Sequence, residues 1–211
     1  ELRRLPGIHY VELEHNLGRA AIRNKLAREA QNSYLLLLDA DGQPPNHFLY
    51  AYLFGLTDAI AAKVVSGEEL VIVGGRKYSD QPPAQQELHL HWCYGTKRES
   101  RSVTRRQSEK WLGFQSNNFL VSRSVLLTHP FPEDVAGYGH EDTLWGQQMD
   151  HAGVPIYHID NPVIHLGLEP NDVFLRKQRE AISNLALLHQ QFSHLRTRLI
   201  DLAEKFPLVK Y

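Results

Sequence analysis

Two aspartates separated by one residue, in Asp39-Ala40-Asp41, directly follow the apolar run Tyr34–Leu38. A short, unbroken apolar run predicts a strand buried on both faces, and open α/β sheets bind ligands beyond the carboxyl ends of their strands. Two carboxylates at that point can converge on a divalent cation, which prefers oxygen ligands and can carry the phosphates of a nucleotide. The alternative is a surface turn with two solvated acids, so the interpretation depends on the neighbouring motifs.

A second acidic pair, Glu141-Asp142, follows Gly137-Tyr138-Gly139-His140 and opens a helical pattern that continues to His151. A carboxylate acts as a general base once burial or its neighbours bring its pKa toward the working pH. The positive end of a helix dipole favours ionised acids, so acids are also common at helix starts that have no catalytic role. The pair is therefore a candidate for moving a proton.

A third motif lies before the apolar run. Asn16-Leu17-Gly18 is followed by Arg23-Asn24 within a helical pattern that leads into the strand. In this order and spacing, the three motifs resemble the family 2 glycosyltransferases of the GT-A fold. The resemblance covers about residues 8–180 and includes the segments 116–123 and 162–167.

The resemblance implies an α/β fold of the GT-A type, with a Rossmann-like, doubly wound and mostly parallel sheet. We expect this domain over residues 1–170 and a helical extension over residues 171–211. The implied activity is transfer of a sugar from a nucleotide-sugar donor, with a UDP-sugar favoured, to a glycan, lipid-linked or other hydroxyl acceptor. Inversion by single displacement, without an enzyme nucleophile, is implied as well.

Members of this family begin with a strand–helix–strand unit that carries a Pro-x-Tyr-Asn-like segment and an acidic pair. No such segment occurs in this sequence, which opens just before a predicted strand at residues 8–13. We therefore expect the N-terminal unit of the domain, about 30 residues or more, to lie outside the sequence.

The resemblance assigns the metal to the first acidic pair. Asp41 matches a direct ligand of the metal, and Asp39 matches a ligand or a partner of the ribose. His165, between a short strand and Leu166-Gly167, matches a third ligand; its alternative is an ordinary hydrogen-bonded histidine. Oxygen-rich ligands suit Mn²⁺ or Mg²⁺.

The resemblance assigns the proton to the second pair. Asp142 matches the general base, and Glu141 matches a residue that orients the acceptor or holds the loop. The alternative for both is a structural role at the start of a helix.

Five further side chains are candidates for substrate contacts. Arg23 and Asn24 match donor contacts near the nucleotide, although a helix face packed on a loop would contain the same residues. Asn117 and Asn118 begin a predicted strand and could bind sugar hydroxyls of the acceptor or brace a loop. Trp145, one turn after Glu141, could stack on an acceptor sugar or belong to the core.

Composition narrows the classes of partner. The net charge of −1 over 211 residues argues against a nucleic-acid-binding protein, which would carry a basic excess. Cys93 is the single cysteine, so no internal disulfide can form, which suits a cytoplasmic protein. No apolar run approaches about 20 residues, so we expect any membrane contact to be peripheral.

Two regions away from the motifs carry further predictions. The polar, basic segment 94–110 predicts a mobile loop, and Arg105 and Arg106 could close over a diphosphate. The C-terminal region predicts one long helix with a heptad seam. The seam residues are Leu185, Leu188, Phe192, Leu195, Leu199, Leu202 and Phe206. Such a seam packs on its own domain or is exchanged in a homodimer, and the sequence leaves both open.

Two other functions compete with glycosyl transfer. A metal-dependent nucleotidyltransferase would use a similar metal site, but needs attack at phosphorus and a basic phosphate loop at its first strand. A non-catalytic nucleotide- or glycan-binding module would bind the donor without turnover. The presence of both acidic pairs favours an enzyme.

Overall fold

The computed structural model describes residues 6–61, 69–133, 139–192 and 194–206. Within these ranges the chain forms eight α-helices around two small sheets, which confirms the predicted α/β class. The helices are α1 (Gly18–Glu29), α2 (Phe48–Ala61), α3 (His89–Tyr94), α4 (Val103–Glu109), α5 (Arg123–Thr128), α6 (Glu141–His151), α7 (Asn171–Gln191) and α8 (Arg198–Lys205). Two short 3₁₀-helices, Gln86–Leu88 and Lys110–Gly113, and a π-helix, Gly95–Glu99, connect some of them.

Seven strands are described in the same ranges. They are β1 (Tyr34–Leu38), β2 (Gly42–Gln43), β3 (Val71–Val73), β4 (Arg76–Lys77), β5 (Asn118–Ser122), β6 (Ile156–His158) and β7 (Val163–His165). The central sheet has the order β1-β5-β3-β6, and a smaller sheet has the order β2-β7-β4. The strand predicted at residues 8–13 does not form, because that segment makes no ladder with any described strand.

Strand orientation in the central sheet is mixed: β1, β3 and β6 run the same way, as expected for a mostly parallel sheet, and β5 runs opposite to them. β5 runs antiparallel to both of its neighbours, β1 and β3, whereas β3 and β6 are parallel. In the register of this ladder, the first residue of β5, Asn118, pairs with the last residue of β1, Leu38. The chain therefore enters β5 at the edge of the sheet where β1 ends, beside the first acidic pair.

Both faces of the central sheet are covered. In β3, Val71 and Val73 pack into one apolar cluster with Trp145 of α6, while Ile72 packs into a second cluster with Tyr52 of α2. Side chains alternate between the faces of a strand, so burial on both faces explains why β3 is apolar throughout. β1 differs from the prediction, because it is the outer strand of the described sheet and its middle three leucines are only half-buried.

The basic segment 94–110 is ordered, so the predicted mobile loop is wrong. The π-helix and α4 occupy most of it, and Arg106 of α4 is buried. Its guanidinium donates to the backbone oxygens of Val73, Gly74 and Ile159 at 2.8–3.1 Å. Arg106 thus joins the ends of β3 and β6 and does not close over a ligand.

The C-terminal region is not one long helix. The chain leaves α7 after Gln191 and forms the separate helix α8. Leu185, Leu188, Leu195 and Ile200 are buried together with Leu144 of α6. Only the first part of the predicted seam packs against α6, because Leu199, Leu202 and Phe206 are exposed. The structure gives no support for the exchanged homodimer. Across the described residues, no helix is both long and apolar enough to cross a membrane.

Candidate active site

The end of β1 places the first acidic pair at the edge of the central sheet. The backbone N–H of Asp39 donates to the carbonyl oxygen of Asn117 at 2.9 Å, which extends the β1–β5 ladder by one bond. The chain then turns, and the N–H of Gly42 donates to the Asp39 carbonyl at 3.0 Å. The side chains of Asp39 and Asp41 remain 35% and 47% exposed. Both carboxylates therefore face solvent.

Asp41 and His165 lie next to each other because β2 and β7 pair. Gly42 is opposite His165 in the ladder, and the N–H of Leu166 donates to the Asp41 carbonyl oxygen at 2.8 Å. The Nδ1 atom of His165 is 3.5 Å from Oδ1 of Asp41. Burial, and then the charge of Arg76, lower the pKa of His165, so its imidazole is held neutral, which is the form that binds metals.

Gly167 makes room for the Asp41 carboxylate. A Cβ atom at Gly167 would lie 2.3 Å from Oδ2 of Asp41, so any other residue here would require the Asp41 carboxylate to move. Asp41 and His165 are a mixed oxygen and nitrogen pair that fits Mn²⁺ or Mg²⁺. No group of three candidate metal-binding side chains occurs among the residues that the structure describes. A cation here would therefore complete its coordination with phosphate and water oxygens.

Arg23 of α1 is buried and contacts Asp39. Its Nη2 atom lies 3.1 Å from Oδ1 of Asp39 and 3.4 Å from the carbonyl oxygen of Ser116. The guanidinium is buried and packs over the ring of Phe131. This contact fixes the orientation of Asp39, and the donor contact of Arg23 stays a prediction. Its Nη1 atom is buried without a hydrogen-bond partner.

Asn24 is hydrogen-bonded within the fold, which favours the alternative of a helix face packed on a loop over the predicted donor contact. The side chain is buried, and its Nδ2 donates to the Phe131 carbonyl and to the Glu133 carboxylate, both at 2.8 Å. Its Oδ1 accepts from the Phe131 N–H at 2.8 Å. These bonds fasten the segment after α5 onto α1 and leave Asn24 little capacity to bind a ligand.

The second acidic pair begins α6. The N-cap residue, His140, has φ = 70°, and Gly139 before it has φ = 88°. A left-handed conformation costs a non-glycine residue about 1–3 kcal/mol and is found preferentially at functional sites. This turn directs Asp142 toward the start of β5.

Ser116 holds both carboxylate oxygens of Asp142. Its Oγ donates to Oδ1 at 2.7 Å and its backbone N–H donates to Oδ2 at 3.1 Å. Asn117, the next residue, accepts from Asp39. The two acidic pairs, far apart in the sequence, are therefore joined through two consecutive residues before β5.

Glu141 lies in a different environment from Asp142. Its carboxylate is buried, and Oε1 is 2.7 Å from Nη2 of Arg19 on α1. Burial, and then the neighbouring charge of Asp142, raise the pKa of Glu141. Both members of the Arg19–Glu141 pair line a cavity of about 640 Å³ beside the start of α1. The motif Asn16-Leu17-Gly18 forms part of the same wall.

Two of the three predicted acceptor contacts, Asn118 and Trp145, have buried side chains whose polar atoms are hydrogen-bonded within the fold. Asn118 accepts from the Tyr52 hydroxyl at 2.6 Å and donates to the carbonyls of Gly75 and Asn161. Trp145 is fully buried, and its Nε1 donates to the His129 carbonyl at 2.8 Å. These bonds favour the structural alternatives for both residues, and their acceptor contacts stay predictions.

Asn117 is the third predicted acceptor contact, and it keeps a free polar atom. The residue is buried, and its Oδ1 has no hydrogen-bond partner. A buried polar atom without a partner is rare, and one beside two acidic pairs is suited to a ligand or a water molecule.

Three supporting residues were not predicted: Ser116, Arg19 and Gly167. Ser116 and Gly167 end or begin segments that carry the resemblance, but their roles depend on long-range pairing that no local pattern reveals. Arg19 lies at the start of α1, and its partner Glu141 lies at the start of α6, far along the chain.

Comparison with known proteins gives one result. The family model described as Glycosyl transferase family 2 matches residues 1–128, more than half of the chain. The match contains Asp39, Asp41 and Ser116, and it ends before Asp142 and His165. No curated protein matches the chain.

Proposed function

The chain belongs to glycosyl transferase family 2, and on that premise we propose that it moves a sugar from a nucleotide diphosphate sugar to a glycan or lipid-linked hydroxyl. The observation that carries the proposal is the link between the acidic pairs. Asp39 bonds to Asn117, and Asp142 bonds to the adjacent Ser116. A donor bound at one pair and an acceptor at the other would therefore share one cleft.

Asp41 and His165 would hold Mn²⁺ or Mg²⁺ on the donor side. When bound, such a cation neutralises the leaving diphosphate as a Lewis acid. Asp39, oriented by Arg23, is 35% exposed and would accept a hydrogen bond from a ribose hydroxyl or a metal-bound water. We infer a UDP-sugar as donor from the resemblance alone.

Asp142 would accept the proton of the acceptor hydroxyl. The acceptor oxygen attacks the anomeric carbon, the bond from that carbon to the diphosphate oxygen breaks with its electron pair, and the configuration inverts. Each carboxylate oxygen can accept about two hydrogen bonds, so one position on each remains after Ser116 has bound. Ser116 thus fixes the base without blocking it.

Glu141 would orient the acceptor from the wall of the neighbouring cavity. Its pair with Arg19 compensates part of the cost of burying the carboxylate. Burial and the neighbouring charge of Asp142 raise the pKa of Glu141, and the charge of Arg19 opposes that shift.

The test is release of nucleoside diphosphate from a panel of nucleotide sugars by the full chain with Mn²⁺, measured with and without acceptor sugars. We expect slow hydrolysis of one donor without acceptor and faster release with a matching acceptor. Asp58→Asn, an exposed change on α2, is the control for Asp41→Asn. Tight donor binding without turnover by any acceptor would indicate a binding module and contradict the proposal.

A further inference from the structure

Helix α7 supplies a buried amide to the turn that opens α6. Asn184 is 4% exposed, and its Nδ2 donates to the carbonyl oxygen of Gly139 at 2.6 Å, across 45 residues of sequence. The neighbours of Asn184 along α7, Leu185 and Leu188, belong to the apolar cluster with Leu144. Burying a polar side chain in apolar surroundings costs free energy unless it is hydrogen-bonded. The bond to Gly139 therefore stabilises the buried position of Asn184.

A second contact brings the same helix against the same glycine. A Cβ atom at Gly139 would lie 3.0 Å from the Cβ of Ala181, which is nearly one turn before Asn184. The small side chain of Ala181 and the absence of one at Gly139 together allow the close approach that the amide needs. Gly139 also has φ = 88°, a conformation that other residues rarely adopt.

The turn that α7 holds determines the position of Asp142. After Gly139, His140 is also left-handed, and its carbonyl accepts the first helical bond, from the N–H of Leu144 at 3.0 Å. Asp142 lies in this first turn of α6, three residues after the clasped carbonyl, and meets Ser116 there. A rotation of the turn would displace the Asp142 carboxylate from Ser116.

We propose that Asn184 is a positioning residue for the base: its amide fixes the left-handed turn at Gly139–His140 and thereby holds Asp142 on Ser116. The proposal deepens the proposed function and rests on it for the role of Asp142. It makes α7 part of the catalytic apparatus, although the helix lies outside the segment that matches the family. Asn184 acts through Asp142 and does not contact substrate.

The test uses Asn184→Leu, which removes the donor, keeps a similar volume and suits the apolar surroundings. Leu187→Asn, an exposed change on the same helix, is the matched control. Two readouts are measured on the full chain: hydrogen exchange of the amides in the first turn of α6, and steady-state kinetics of transfer. We expect exchange of the Leu144 amide, which makes the first helical bond of α6, to rise at least about 10-fold, and kcat to fall by up to about 100-fold, as for a small misplacement of a catalytic group. The donor KM should stay within about 2-fold, because Asp41 and His165 are held by other strands.

The readouts separate the possible failures. Unchanged exchange in the first turn of α6 would overturn the inference, and so would raised exchange with an unchanged kcat in an active enzyme. If kcat and thermal stability fall together in Asn184→Leu, the loss of activity reflects general unfolding. The nearly isosteric variant Asn184→Asp is then measured. If Asn184→Asp is folded and its kcat does not fall, the inference fails. Absence of transfer by the wild-type chain would instead overturn the proposed function, while the exchange data would still judge the contact of Asn184.

Discussion

The two acidic pairs differ in almost every physical respect. Asp39 and Asp41 follow a strand, keep 35% and 47% of their side chains exposed, and have few contacts. Glu141 and Asp142 open a helix, where Glu141 is buried and Asp142 is half-buried, and their carboxylates contact Arg19 and Ser116 respectively. A cation and its nucleotide must enter and leave, which requires accessible ligands that exchange with water. A general base needs one fixed orientation, which the protein contacts provide.

The two acidic pairs are also positioned by different structural features. The register of β1 against β5 and of β2 against β7 sets the strand-end pair. A left-handed turn, clasped by α7, sets the helix-start pair. Changes at the two places should therefore affect different steps: binding of the donor at the first, and turnover at the second.

Asp142→Asn should give the largest difference between the effect on turnover and the effect on donor affinity. The substitution is nearly isosteric and removes only the proton acceptor. Turnover should fall by about 10²–10⁴, the usual contribution of a positioned general base, while donor affinity stays within about 3-fold. Steady-state transfer assays and calorimetry with the donor measure the two quantities. Asp150→Asn, an exposed change on the same helix, is the control. Transfer close to that of the wild type would place the base elsewhere and remove the distinction between the pairs.

Asp41→Asn should produce the opposite pattern. Removing the charged ligand should weaken binding of a nucleoside diphosphate in the presence of Mn²⁺ by at least about 100-fold, since even outer-shell partners of a metal are worth about 10–100-fold. Thermal stability should be unchanged, because the side chain is exposed at a strand end. Calorimetry with UDP, with and without Mn²⁺, measures the effect. Equal affinity in mutant and wild type would show that the metal does not use this pair.

Two histidines differ in a similar way. Both ring nitrogens of His158 have a hydrogen-bond partner within the fold, whereas the ring of His165 faces Asp41. His158 is buried between Arg106 and the Lys110 carbonyl, and burial lowers its pKa to about 4. Since the unfolded state takes up the proton more readily, stability should be complete above about pH 6.5 and fall as the pH drops toward 4. Between pH 7 and 5 the loss from this residue should be about 2 kcal/mol. Urea unfolding of the wild type and His158→Gln at both pH values measures it; an equal loss in the variant would assign the effect to other groups.

The smallest effect is expected from Ser116→Ala. The change removes the Oγ donor to Asp142 and keeps the backbone donor, so kcat should fall about 10-fold, in line with one hydrogen bond to a charged group. The donor KM should not change. Ser108→Ala, an exposed serine on α4, is the control. A larger change in KM than in kcat would mean that Ser116 serves the donor side instead.

The sequence was sufficient to place the two acidic pairs at the end of a strand and the start of a helix, and insufficient for the contacts of the residues around them. An apolar run before Asp39 predicted the strand, and an acidic pair before a helical pattern predicted the start of α6. Asn24 and Asn118 are polar residues next to those motifs, and nothing local distinguishes a ligand-binding amide from one bonded to backbone atoms. The burial of Trp145 likewise depends on Phe131 and the sheet.

The mobile loop that the basic composition of residues 94–110 predicted was wrong for the same reason. Arg106 looks like a solvated charge in the sequence, but in the fold it meets three backbone oxygens from two strand ends. The antiparallel entry of β5 was equally hidden, since orientation depends on pairing between distant segments. That pairing is also what brings Ser116 to Asp142.

The most direct test of the account is a diffraction experiment on crystals soaked with Mn²⁺ and UDP. The anomalous signal of the metal should lie at the end of β1, with an Asp41 carboxylate oxygen and a His165 imidazole nitrogen about 2.0–2.3 Å away and diphosphate oxygens completing its coordination. Asp142 should stay on Ser116 in the same crystal, across the cleft from the diphosphate. A well-occupied metal with Asp41 and His165 both turned away would contradict the division of labour between the two acidic pairs.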